Sequence, residues 1–223
     1  TPLYSSAASD VYKRQGKNEP EEKDNLRGTD ISLGGAAQGR QFWMLSVAFL
    51  CFGLAIGAVL AHIVLHAIGL GVSTTSAGAI LAVTGGLSTV GRIVMGSAGD
   101  RIGHKNALAI CFGLMSAALF WLLFAKKLWM LYLFAVIFGF GYGGIAPLQS
   151  PLIAELFGLS SHGVILGVTE FGVALGETIG PVVAGHIFDI TRSYHLAFLA
   201  SGVIGLLGAV LMSRLKTVKR TAL

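Results

Sequence analysis

The chain has 223 residues, 54% hydrophobic and 12% charged, with a mean hydropathy of +0.74 and a formal net charge of +5. A soluble globular domain carries about 25% charged residues, so the composition excludes a soluble enzyme of ordinary design, and it excludes a disordered chain for the same reason. The positive balance does not point to nucleic acid, because the charges sit at the ends of apolar runs, where membrane topology accounts for them.

In chain order, positions 5–15 read SSAASDVYKRQ. One back-translation of that string resembles a transposase-based sequencing adapter, so residues 1–15 are read as an assembly scar and set aside from the fold. Residues 16–40 mix Lys17, Glu19, Glu21, Glu22, Lys23, Asp24, Arg27 and Asp30 and read as a flexible, solvated segment. Six apolar runs follow, at about 42–66, 76–98, 107–125, 129–153, 163–188 and 195–211. A membrane helix needs about 20 apolar residues, and runs without period-two alternation are not barrel strands. Short connections make successive helices antiparallel neighbours. Residues 215–223 form a basic tail. Abundant glycine suits closely packed membrane helices. Cys51 and Cys111 lie inside apolar runs, with neither disulfide nor metal-ligand spacing.

Lysine and arginine in the loops set the orientation. With 16–40 placed in the cytoplasm, that side holds Lys17, Lys23, Arg27, Arg40, Arg101, Lys105, Arg214, Lys216, Lys219 and Arg220. The other side holds Lys126, Lys127 and Arg192. Both ends are therefore expected to be cytoplasmic, in an integral protein of the plasma (inner) membrane.

Ionisable groups inside a membrane are costly and face a cavity or the bundle interior. The third and sixth runs carry none between their ends. The second holds Arg92 and the fifth Glu170 and Glu177; the first has His62 and His66, and the fourth has Tyr142 and Gln149. Every third helix then reads as an outer, lipid-facing one, the pattern of a three-plus-three inverted repeat. Arg92 lies eight residues before Asp100, about 12 Å into its helix. It suits an anionic substrate, the alternative being a structural ion pair. Glu170 sits at similar depth from the same side and would pair with Arg92 if their helices adjoin. Glu170 and Glu177 are candidate proton carriers, with a satisfied structural hydrogen bond as the plainer role for each. Gly139, Gly141, Gly143, Gly144, Pro147 and Pro151 make the fourth run a hinge or a tight packing surface, packing being favoured. His62, His66, His186 and Asp189 read as interfacial polar groups, with a proton path as the alternative.

The sharpest local pattern is Gly96-x-x-x-Asp100-Arg101-x-Gly103-His104-Lys105 between the second and third runs. It resembles the loop motif of the major facilitator superfamily, with His104 in place of the usual arginine. Ala154-Glu155-Leu156-Phe157-Gly158 after the fourth run, and Gly176-x-x-x-Gly180-Pro181-x-x-Ala184-Gly185 in the fifth, are similar to stretches of the same family. The resemblance implies an all-α integral membrane protein: a six-helix bundle over 41–214 forming one half, the C-terminal one, of a twelve-helix fold. Residues 16–40 would then be the remnant of the loop joining it to a missing N-terminal half. It implies a gating latch made by Asp100, Arg101 and Glu155 with the loop motif, Arg101 to Glu155 within this half and Asp100 towards the other. It implies a helix-packing role for Gly176, Gly180, Pro181 and Gly185.

The function expected is secondary active transport of a small solute by alternating access. Arg92 and the run Gly180-Pro181-x-x-Ala184-Gly185-x-Ile187-Phe188-Asp189 resemble monocarboxylate or oxalate–formate members of the family, and the resemblance implies a monocarboxylate or other organic anion, with a coupled proton, as the first candidate. Arg92, Glu170, Glu177, Tyr142 and Gln149 are the candidate binding or coupling residues. A drug or sugar transporter is the alternative within the family, and a non-transporting sensor or scaffold the alternative outside it. No H-E-x-x-H and no nucleophile turn occurs, so no enzyme, metal or cofactor is expected. The partners expected are the solute, the lipid bilayer and the missing half, and no nucleic acid. Six helices alone make one lobe, which is expected to fold but not to transport.

Overall fold

The structure, a computed structural model, describes residues 33–216. The region read as a scar, most of 16–40 and most of the basic tail lie outside the described residues. A short helix, α1 (Leu33–Gln38), precedes α2 (Arg40–Gly69), α3 (Thr74–Ile102), α4 (His104–Leu122), α5 (Leu128–Phe157), α6 (His162–Thr191) and α7 (His195–Arg214). Helices α2 to α7 are each long and apolar enough to cross a membrane.

Helix α1 falls inside the stretch read as polar and flexible. Its Leu-Gly-Gly-Ala-Ala sequence is apolar and small; Ala36 is buried, and Trp43 Nε1 donates to the Ala37 carbonyl at 2.9 Å. Most helices outrun their apolar runs by a few residues at each end, because the backbone continues until a stop conformation is reached. Those stops are Gly103 (φ 87°), Gly158 (φ 79°), Gly71 (φ 86°) and Arg192 (φ 56°). Gly103 alone separates α3 from α4, so the motif expected in a loop is two helix ends joined at one residue. Its left-handed φ is the reason this position favours glycine.

Three spans return the chain to the opposite side of a membrane, so a second set of three must run inverted. The packing shows this repeat residue by residue. Gly53 and Gly57 of α2 lie against the backbone of Val173 and Glu177 of α6, while Gly139 and Gly143 of α5 lie against Thr84 and Ser88 of α3. Gly180 of α6 meets Leu54 and Ala58, and Gly91 of α3 meets Phe140 and Gly144. Moving α2 positions on by 86 gives their α5 counterparts (Gly53 to Gly139, Leu54 to Phe140), and moving α3 positions on by 89 gives those of α6 (Ser88 to Glu177, Gly91 to Gly180). Small residues let backbones approach where side chains would separate them. The glycines of α5 thus serve packing: a Cβ at Gly141 or Gly144 would also collide, with Met115 and Met95 respectively.

Helices α4 and α7 pair with each other behind this layer, where Ser116 Oγ donates to the Gly202 carbonyl at 2.8 Å. The outer surface of α7 presents Val203, Leu206, Leu207 and Val210, an apolar band suited to lipid. The architecture is an all-helical, six-span, three-plus-three inverted bundle.

Candidate functional site

Helices α3 and α6 are the least covered of the six, each packed mainly on one neighbour: α3 on α5, and α6 on α2. Their uncovered sides carry the charges. Arg92, Glu170 and Glu177 are all exposed in the six-helix unit. Ten residues separate Arg92 from the end of α3 at Ile102, about 15 Å of helix. Glu170 and Glu177 lie eight and fifteen residues into α6, about 12 and 22 Å from the same end. Arg92 maps through the repeat onto Pro181, four residues from Glu177 and so about 40° around the helix from it. All three charges thus occupy equivalent flanks. Val183, which lines an apolar cavity of about 240 Å³ between α2, α6 and α7, lies about 120° around the helix from Glu177.

Arg92 does not pair with Glu170. Among the described residues the contacts between basic groups and carboxylates are those of His104 with Asp100 and Glu155, ionic when the ring is protonated. The sequence left open whether α3 and α6 adjoin; each packs on a different central helix, which separates the two charges.

The two polar residues of α5 are placed differently. Gln149 is buried and its Nε2 donates to Thr169 Oγ1 at 3.0 Å, tying α5 to α6 beside Glu170. Tyr142 is half-buried and stacks on Phe52 of α2 with centroids 6.2 Å apart. Of the packing motif, Gly176 and Gly180 seat against α2, the Pro181 carbonyl lies 3.0 Å from His62 Nε2, and a Cβ added at Gly185 would meet the His62 ring at ordinary contact distance.

At the end of the bundle that carries Gly103, the geometry departs from the expected latch. Glu155 at the end of α5 does not reach Arg101. Its Oε1 lies 2.6 Å from His104 Nδ1, and Asp100 Oδ1 lies 3.6 Å from His104 Nε2. The reason is positional: His104 opens α4, one residue past the Gly103 turn, and faces α5, whereas Arg101 is exposed in the last turn of α3. A Cβ added at Gly96 would make only ordinary contact with Pro147. Lys105 has a role that its motif spacing does not reveal. Its Nζ donates to the Leu215 carbonyl at 3.0 Å and the Ser213 carbonyl at 3.3 Å, beyond the reach of the intrahelical ladder. A cation at a helix C-terminus is favourable, as are hydrogen bonds from a charged donor. Lys105→Met is expected to cost about 1 kcal/mol, read as a lower melting temperature in detergent; an unchanged melt would show that the cap carries no weight.

At the opposite end, His62 and His66 pack around Tyr194, a residue the sequence did not single out. The Tyr194 ring lies 5.1 Å from His62, 6.1 Å from His66 and 4.3 Å from Phe188. Burial and the Asp189 carboxylate push the Tyr194 phenol up from its ordinary value. His62 Nδ1 and His66 Nε2 are buried without a partner. No group of His, Cys, Asp and Glu suited to a metal occurs among the described residues.

Comparison with known proteins agrees with this geometry. Monocarboxylate transporter 12 of Homo sapiens is 28% identical over 183 residues, covering 80% of this chain and 36% of that protein. An agnestins efflux protein of Paecilomyces divaricatus is 29% identical over 160 residues, covering 70% of this chain and 36% of its own length. Among solved structures, a mutant peptide transporter POT in complex with alafosfalin superposes with a TM-score of 0.73 at 20% identity, over 86% of this chain and 41% of that one. The chain therefore spans well under half the length of the proteins it matches. A family model described as Major Facilitator Superfamily covers residues 45–222. With six membrane-length helices in an inverted repeat and a family match over most of its length, the chain is an integral membrane protein belonging to the major facilitator superfamily.

Proposed function

We propose that the chain works as one lobe of a secondary transporter that moves a small organic anion of the monocarboxylate class by alternating access. The observation that carries this reading is the charged flank of α3 and α6. The packing stripe repeats between the two halves of the bundle, but the charges do not: Arg92 answers to Pro181, Glu177 to Ser88 and Glu170 to Leu81 under the same shifts. The charges are thus not required by the packing, and lipid is a poor medium for them. A watery path shared with a second lobe is a suitable one. In this reading Arg92 receives the substrate carboxylate, as a guanidinium does in a bidentate pair. Glu170, or Glu177, carries a coupled proton. Tyr142 and Gln149 of α5 act from behind the path, holding the neighbouring helices through Phe52 and Thr169. The joint at Gly103 and Glu155 acts as a gate on the cytoplasmic side, with both chain ends on that side of the plasma membrane. Names of relatives support the anion: the human relative is a monocarboxylate transporter. The fungal efflux relative supports export of another organic solute as the second reading.

The test is uptake of a labelled monocarboxylate into vesicles by a complete transporter that carries this chain as its second lobe, with this chain alone in parallel vesicles. The complete protein is expected to accumulate label under an inward proton gradient, and the single lobe to stay at background. Label accumulation by the lobe alone, or none by the complete protein, would contradict the proposal.

A further inference from the structure

We infer that His104 makes the α3–α4 joint a proton-sensitive clasp. The inference rests on the joint itself and not on the transport reading.

Both ring nitrogens of His104 face carboxylates from different helices: Nδ1 lies 2.6 Å from Glu155 Oε1 of α5, and Nε2 lies 3.6 Å from Asp100 Oδ1 of α3. The ring is held in place. Its side chain is 15% exposed, against 78% for Asp100, and it rests on the bare backbone of Gly99, where a Cβ would come within 3.0 Å of its Cδ2. An ionised carboxylate only accepts hydrogen bonds, and a neutral imidazole has one N–H while an imidazolium has two. The neutral ring therefore serves one acid and turns a lone pair towards the other. Only the protonated ring answers both, and so links α3, α4 and α5.

Imidazole is the side chain whose charge changes between about pH 5 and 8, whereas an arginine keeps its charge throughout. The sign follows. Protonation at the lower pH closes the clasp, and loss of the proton as pH rises releases one of its two arms. The other charged groups nearby are committed or free of the ring. Lys105 is turned to the end of α7, His162 of α6 is engaged with Ser150, and Arg101 of α3 and Arg214 of α7 are exposed without an ion pair among the described residues.

Amide hydrogen exchange over residues 97–108 tests this in the full chain held in nanodiscs at pH 6 and pH 8, after correction for the chemical exchange rate. Wild-type protection is expected to fall by about threefold between the two values, the scale of one exposed ion pair. His104→Arg is expected to stay protected at both pH values, and His104→Gln to be weakly protected at both. Unchanged wild-type protection, or a fall of equal size in His104→Arg, would overturn the inference. Because the readout is exchange and not uptake, it stands or falls separately from the proposed transport.

Discussion

Gly143→Val is expected to destabilise the bundle by about 3 kcal/mol, at the upper end of the usual overpacking range. A side chain at 143 falls on the backbone carbonyl of Ser88. Backbone in the middle of α3 cannot rotate aside as a flexible side chain can, so α3 and α5 must separate along the contact. The repeat makes the same claim for α2 and α6, since a Cβ at Gly57 would come within 2.7 Å of the Glu177 carbonyl oxygen. The control is Gly113→Ala in α4, where nothing lies within 4 Å of the added carbon. There the helix gains about 0.5–1 kcal/mol from the lost flexibility of glycine. Thermal unfolding in detergent compares the two variants. Equal effects would mean that the helices are not seated on their glycines.

Arg92→Gln has the second large effect, on function instead of stability. In a complete transporter carrying this chain, monocarboxylate uptake is expected to fall by about tenfold or more, the scale of a lost charge-assisted contact to a carboxylate. The melting temperature should hold, because Arg92 is exposed and makes no ion pair among the described residues. A structural arginine would behave the opposite way: a lowered melt with uptake intact would assign Arg92 to the scaffold.

Much of the fold was legible in the sequence because hydropathy reports directly on lipid. The six spans, the lack of charge between the ends of the third and sixth helices, and the repeat all follow from where polar groups are tolerated. What lay out of reach depends on partners rather than on spacing. Nothing in the residues around Arg92 and Glu170 says that α3 and α6 pack on different helices, so their pairing stayed open. Arg101 and His104 are three residues apart, and the motif put Arg101 opposite Glu155 where the structure puts His104. Only the turn at Gly103, which starts a new helix at His104, decides between them. Lys105 and Tyr194 find their partners across the bundle, at Leu215 and at His62 and His66, too far along the chain for any motif to signal. Helix α1 was hidden by its charged surroundings, since five small or apolar residues are too few to stand out against them.

Under the proposed function the charged flanks of α3 and α6 border water. Thiol labelling tests it most directly, in a complete transporter in vesicles with Cys51 and Cys111 replaced by serine. Single variants Glu177→Cys and Leu206→Cys are treated with a water-soluble, lipid-excluded maleimide. Rapid labelling is expected at 177, slowed by saturating substrate, and none at 206 on the apolar face of α7. If the cysteine at 177 stays as unreactive as the one at 206, that flank lies in lipid and borders no watery path.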